Sequence, residues 1–389
     1  MDFTFSEEQQ AIGDLAGQVL GDRSTHERLR ELERSDGPRF DADLWAELAE
    51  LGVLGATVPE EHGGAGLDLV ALGAVLEAAG RTAAAVPLWE TLGLGVPAIA
   101  RFAPASLAAE VLAVVAAGTT VLTAAWHETG AEPLVPTTIA SRSGDGWTVT
   151  GTKVCVPAGA IADAVLVPAA LEDAGSVGLF LVRSDRGRAD GVGMEPLVTT
   201  LGDPQAALLF AEAPATLVAE GAEALRWAYE RAVATQCAVA TGVCAEALRL
   251  TADYTKERKQ FDVPIASFQA VAHRAADAYI DTEAVRLTTH QALWRLGNDQ
   301  PATAEVATAK FWAAWGGQRV VHAAQHLHGG VGARSLATSS RVSRPVWPRR
   351  IRLSIASLMC CSGTSMYLTT LGSRAIASIS SSSNALGNV

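Results

Sequence analysis

The stretch YTKERKQFDVPIASFQAV, residues 254–271, joins two long helical patterns. It places Arg258 and Phe261 about one turn apart, near the end of a predicted helix. Two readings compete. One is a solvated charged face with a buried Phe; the other is an arginine whose planar fork grips phosphate. The helix before it is predicted over 222–254, and the one after it over 264–296, with Pro264 suited to the first turn. A third helix is predicted over 303–328, and all three have alanine-rich interiors that allow close packing in a bundle. The third closes with HLHGGVG, residues 326–332, where glycines serve either as a helix stop or as backbone that approaches a cofactor closely. His326 and His328 have no third ligand nearby, so no metal is expected.

Upstream of the bundle the texture differs. From about Thr119 to Ala215 the apolar runs are short and β-rich: TVLTAAW, GWTVTG, AVLVPAA, GLFLV and AALLFA, separated by Gly, Asp, Pro and Ser. GDGW, residues 144–147, is a hairpin signal. A small β-barrel or sandwich is expected there. The first part of the chain reads as helical. Ser6 and Gln9 form a capping box ahead of Ile12, Leu15, Ala16, Val19 and Leu20, and Asp41 caps a helix whose apolar stripe is Leu44, Trp45 and Leu48. VPEEHGGAGLD, residues 58–68, interrupts the pattern. Further helix is expected over 69–80 and between 92 and 117. The fold class is therefore α+β: an N-terminal helical domain (1–117), a middle β domain (118–220), a C-terminal helical bundle (221–332) and an atypical tail (333–389).

The 389 residues are 49% hydrophobic and 19% charged, which fits an ordered globular chain. A net charge of −12 argues against nucleic acid as a partner, since phosphate backbones attract a basic footprint. No run of apolar residues is long enough to span a membrane, and the acidic start, MDFTFSEEQQ, is unlike a signal peptide. The five cysteines have neither zinc nor secreted-domain spacing, so a reduced cytoplasm is expected. All 42 acidic residues lie before position 306, and after Gly332 serine and arginine dominate. A basic arm, a disordered terminus or a change of reading frame would each produce such a tail, and the abruptness of the jump favours the last.

Taken together, the α–β–α order, PEEHGGAG near residue 60, GTK at 151–153, the 254–271 stretch and HLHGGVG resemble the acyl-CoA dehydrogenase family over about residues 3 to 332. AAVPLWET, ADAYID, RLTTHQALWRL and FWAAWGGQRVVH resemble, more narrowly, the base-lacking subunit of actinobacterial steroid-degradation enzymes built from unlike subunits. The resemblance implies a C-terminal four-helix bundle, non-covalent FAD shared between subunits, an acyl-CoA substrate, a homo- or heterotetramer with a related subunit, and electron-transfer flavoprotein as acceptor. It implies that Arg258 contacts the FAD pyrophosphate, with Phe261 beside it and Gln269 reaching the cofactor from the next helix. Gly329 and Gly330 match a double glycine against the adenine half of a neighbour's FAD. His326 stands where the family usually has glutamine.

Departures from the family pattern matter as much. WHETGAEP, residues 126–133, lacks the serine of the stretch that cradles flavin, and VCVPAG follows GTK where an aromatic-Ile-Ser/Thr run is usual. One family position for the catalytic glutamate lies in the C-terminal segment, which has no acid here. The other falls on Ala232. Glu230, two residues away and about 200° round a helix, is a weak candidate base, and Glu246 a weaker one. The expectation is dehydrogenation of a bulky, steroid-type acyl-CoA with the base supplied by a partner. The alternatives are a self-sufficient homotetrameric dehydrogenase and a structural partner that completes a FAD site without turnover.

Overall fold

A computed structural model describes residues 5–172, 175–199 and 202–329. The segment 333–389 and Gly330 lie outside the described residues.

Helices α1 (Glu7–Arg23), α2 (His26–Arg34), α3 (Ala42–Glu50) and α4 (Leu69–Thr82) open the chain. The Ser6 capping box forms, Asp41 caps α3 through the Leu44 N–H, and Leu44, Trp45 and Leu48 are buried. A π-helical segment (Trp89–Gly95) leads into α5 (Val96–Phe102) and α6 (Ala105–Ala116).

The middle region contains β1 (Leu122–Ala124), β2 (Ile139–Ser143), β3 (Gly146–Val156), β4 (Ala164–Leu171), β5 (Val177–Arg183), β6 (Val192–Pro196) and β7 (Ala206–Glu220). Pairings β4–β2–β3–β7–β5–β4 close a ring, with β1 beside β4 and β6 beside β7. The ring has its own core, in which Phe180 and Phe210 are the largest side chains. β2 and β6 fall between the apolar runs of the sequence because their burial is patchy (IASRS, VGMEP).

The bundle consists of α7 (Ala222–Glu257), α8 (Gln269–Gly297), α9 (Thr303–Phe311), a second π-helical segment (Trp312–Gly316) and α10 (Gly317–His328). α4 from the N-terminal helices lies against α7 and shares one core with it. Glycines permit this approach: a Cβ on Gly80 would sit 2.1 Å from the Val239 carbonyl, and one on Gly242 only 1.9 Å from that of Glu77. Among the described residues no helix is long and apolar enough to cross a membrane.

Two local expectations are corrected. α8 begins at Gln269, not Pro264, because Pro264 is extended and the chain first forms a hairpin. That hairpin, β8 (Lys259–Gln260) and β9 (Val263–Pro264), also ends α7 at Glu257, so Arg258 and Phe261 do not share a helix.

Candidate functional site: an exposed platform at one end of the bundle

Arg258 caps the end of α7 with extended backbone, and its carbonyl accepts from the Ile265 N–H at 2.8 Å. Between them Gln260 pairs with Val263, leaving Phe261 and Asp262 as a two-residue turn. Both have left-handed φ, 54° and 66°, as a type I′ turn demands and a bulky residue resists. Phe261 is 89% exposed, which removes the reading of a buried Phe. Its ring meets Phe268 edge to face, with centroids 6.3 Å apart, and otherwise points at solvent. Gln269 is exposed at the start of α8.

α10 brings the last part to the same end. His328 stacks on Tyr254 of α7 with ring centroids 4.4 Å apart, and its Nδ1 lies 2.7 Å from the Ala324 carbonyl. Burial lowers its pKa, and the ring packs between α10 and α7. His326 is exposed one turn end away, and Gly329 follows with φ 60° and ψ −140°, a conformation open essentially to glycine alone. Nothing lies within 4 Å of where its Cβ would be. The structure thus gathers Arg258, Phe261, Gln269, His326 and Gly329 at one end of the bundle, all exposed. Arg258 takes part in none of the ion pairs among the described residues.

The middle domain supplies a second face. Lys153, the lysine of GTK, is wholly buried and donates to Glu128 at 2.5 Å and to the Pro168 carbonyl at 2.7 Å. Thr137 and Thr138 also donate to Glu128. Burial alone would raise the Glu128 carboxyl, but Lys153 and the threonines outweigh it and hold the group at about 2. This pair pins the WHETGAEP loop to β3. The sequence shows both stretches, but nothing in it announces a contact across the fold. Trp126 packs edge-on against Tyr229 of α7, and its buried indole N–H has no acceptor, nor has the buried Thr138 hydroxyl any partner. His127 is held below the ordinary imidazole value, first by its surroundings and then by the charges of Lys310 on α9 and Lys153.

The base positions read as follows. Ala232 is buried on α7, and its carbonyl accepts from the Trp89 indole at 3.2 Å. Glu230 accepts from the Thr303 hydroxyl at 2.6 Å, at the entry to α9. Glu246 is buried and chelated by the Arg249 guanidinium through two bonds of 2.9 and 2.8 Å. Among the described residues no group of His, Cys, Asp and Glu is arranged to hold a metal.

Comparison with known proteins identifies the family. The acyl-CoA dehydrogenase N-terminal domain matches residues 6–119 and the C-terminal domain residues 219–373, so likeness to the family continues past Gly332. Acyl-CoA dehydrogenase FadE27 of Mycobacterium tuberculosis is 39% identical over 85% of this chain and 89% of its own. The chain belongs to the acyl-CoA dehydrogenase family. It is an oxidoreductase of that family, whose cofactor is FAD. Two solved structures share the fold of this acyl-CoA dehydrogenase closely. A variant of the Tcur3481-Tcur3483 steroid ACAD has a TM-score of 0.83 at 38% identity, covering 96% of this chain and 99% of that one. The ChsE4-ChsE5 complex from Mycobacterium tuberculosis has a TM-score of 0.84 at 35% identity, covering 97% and 99%.

Proposed function

We propose that this acyl-CoA dehydrogenase is the base-lacking subunit of an unlike-subunit enzyme that desaturates a bulky, steroid-type acyl-CoA in the cytoplasm. The observation that carries the proposal is a pairing of opposites. The platform offers accessible donors with no ion-pair partner, while the family's base position on α7 is filled by buried Ala232. The relatives add weight: one is a steroid ACAD named by two components, another a complex of ChsE4 with ChsE5.

The platform residues fit the pyrophosphate and adenine half of FAD. Arg258 would hold the pyrophosphate through charge-assisted bonds, with Gln269 adding a neutral one. Phe261 would pack beside them, His326 would donate or accept, and Gly329 with Gly330 would let backbone approach the adenine. When bound, FAD accepts the hydride that leaves the substrate's β-carbon. The α-proton must go to a carboxylate within hydrogen-bond reach of the α-carbon. Neither Ala232 nor the acid-free stretch 306–389 offers one, so the base belongs to the partner. Glu230, occupied by Thr303, is not positioned by its contacts for that role. Electrons then pass to an electron-transfer flavoprotein.

Flavin retention in the complex co-expressed with a base-bearing paralogue tests the platform. Arg258→Ala should weaken FAD binding by about 1.5–3 kcal/mol. Arg258→Lys should recover only part of that, since an ammonium cannot reproduce the fork. Full flavin occupancy in the alanine variant under dilution would refute the assignment.

A further inference from the structure

α10 carries a pair of histidines of which only one, His326, belongs to the platform. His322 and His326 stand four residues apart on a regular α-helix. Their Cβ atoms therefore lie about 5–6 Å apart, one above the other on one face. Both residues are exposed. Neither ring takes part in a hydrogen bond, ion pair or ring contact among the described residues. His328 differs on each count: it is buried, and its ring is stacked on Tyr254. The neighbour that shares a face with His326 is thus His322, not His328.

The charge around the pair favours a cation. His326 lies in the last turn of α10 and His322 in the turn before. Carbonyls without intrahelical partners and the negative end of the helix dipole gather there. Arg319, three residues before His322, would repel a cation if it stood alone. It is neutralised by the buried Asp281 of α8, which accepts from its Nε at 2.9 Å and also from a terminal nitrogen. The charge of Asp277, one turn earlier on α8, reinforces the pair. α10 also packs on both α7 and α8, so the helix that spaces the two rings is held in place.

Two imidazoles one helical turn apart can reach a single ion together, as they do in helical zinc motifs. Imidazole nitrogen suits copper(II), zinc and nickel, whereas magnesium and calcium prefer oxygen. No third His, Cys, Asp or Glu joins the two among the described residues. The remaining coordination positions fall to water, which makes the ion exchangeable and not resident. We propose that His322 and His326 chelate a divalent transition-metal ion, copper(II) most tightly, and that this ion competes with the adenine half of FAD for the platform. The competition rests on the FAD reading above, because His326 cannot serve metal and cofactor at once; the chelate itself does not depend on that reading.

The test uses the assembled complex, free of any histidine tag, titrated calorimetrically with copper(II), zinc(II) and magnesium(II). Copper should bind at one such site per chain and more tightly than zinc, in the usual order for these metals, and magnesium should not bind there. His322→Ala and His326→Ala should each weaken copper binding roughly tenfold or more, since the second arm of a chelate binds at high effective concentration. Flavin retained after filtration should fall when copper is added to the unaltered complex. It should not fall in His322→Ala, which leaves the proposed flavin contacts intact. Copper affinity unchanged in both alanine variants would overturn the chelate. Copper bound through His322 with flavin retention unchanged would overturn the competition and remove His326 from the FAD site.

Discussion

Lys153 and Glu128 show at the scale of single residues why a buried charge must be read with its partner. Two charges taken out of water are stable only because each satisfies the other and the threonines and Pro168 complete the set. Lys153→Met should therefore cost about 3–5 kcal/mol in denaturant unfolding, because Glu128 stays buried without its cation. The double variant Lys153→Met, Glu128→Leu should recover much of the loss. Glu128 is held below its unfolded value, so its stabilisation is present above pH ~4.5 and is lost as pH falls toward 2. An unfolding free energy that is flat across that window would contradict the pair's role. Neither partner betrays the other in the sequence: GTK and WHETGAEP lie 25 positions apart, and their contact is made by strand closure. Phe261 is the reverse case. Its residue type suggests burial, and only the backbone turn reveals an exposed ring.

Elements were legible where their pattern was strong. The Ser6 capping box, the Asp41 cap and the long bundle helices stand in the sequence because each rests on local chemistry. The two π-helical segments do not, since one extra residue per turn leaves an apolar helix looking like any other. The hairpin at 259–264 was hidden by Pro264, which suits a helix start and a strand edge equally. The crossing of α4 and α7 offers a sharp test of packing. Gly242→Ala gains about 1 kcal/mol of helix propensity. Its Cβ, however, would strike the Glu77 carbonyl, backbone that cannot rotate away. The net effect should be a loss of about 2 kcal/mol or more. Gly17→Ala on α1, with open space around it, should instead raise stability by about 1 kcal/mol. Thermal unfolding of both variants reads the difference. A stabilised Gly242→Ala would mean that the helices do not approach as described.

At the scale of the whole molecule the described residues leave several large apolar side chains exposed. Tyr279, Ile280 and Leu287 on α8, Phe311 on α9 and Trp315 are large apolar side chains left exposed, in addition to Phe261. Phe261 shares one end of the bundle with the donors of the platform. The family, the α+β architecture and the cofactor were legible from motif combinations. The proposed division of labour rests mainly on what is missing, an acid at position 232 and in residues 306–389. General-base catalysis is commonly worth 10²–10⁴-fold, and an unactivated α-carbon proton should sit at the upper end. The most direct measurement is anaerobic bleaching of flavin by a ring-bearing acyl-CoA, recorded for the isolated, FAD-supplemented chain and for its complex with a base-bearing paralogue. Rapid bleaching by the complex and none on the same timescale by the isolated chain is the expected result. Rapid bleaching by the isolated chain would contradict it, and its loss in Glu230→Gln would then make Glu230 the base.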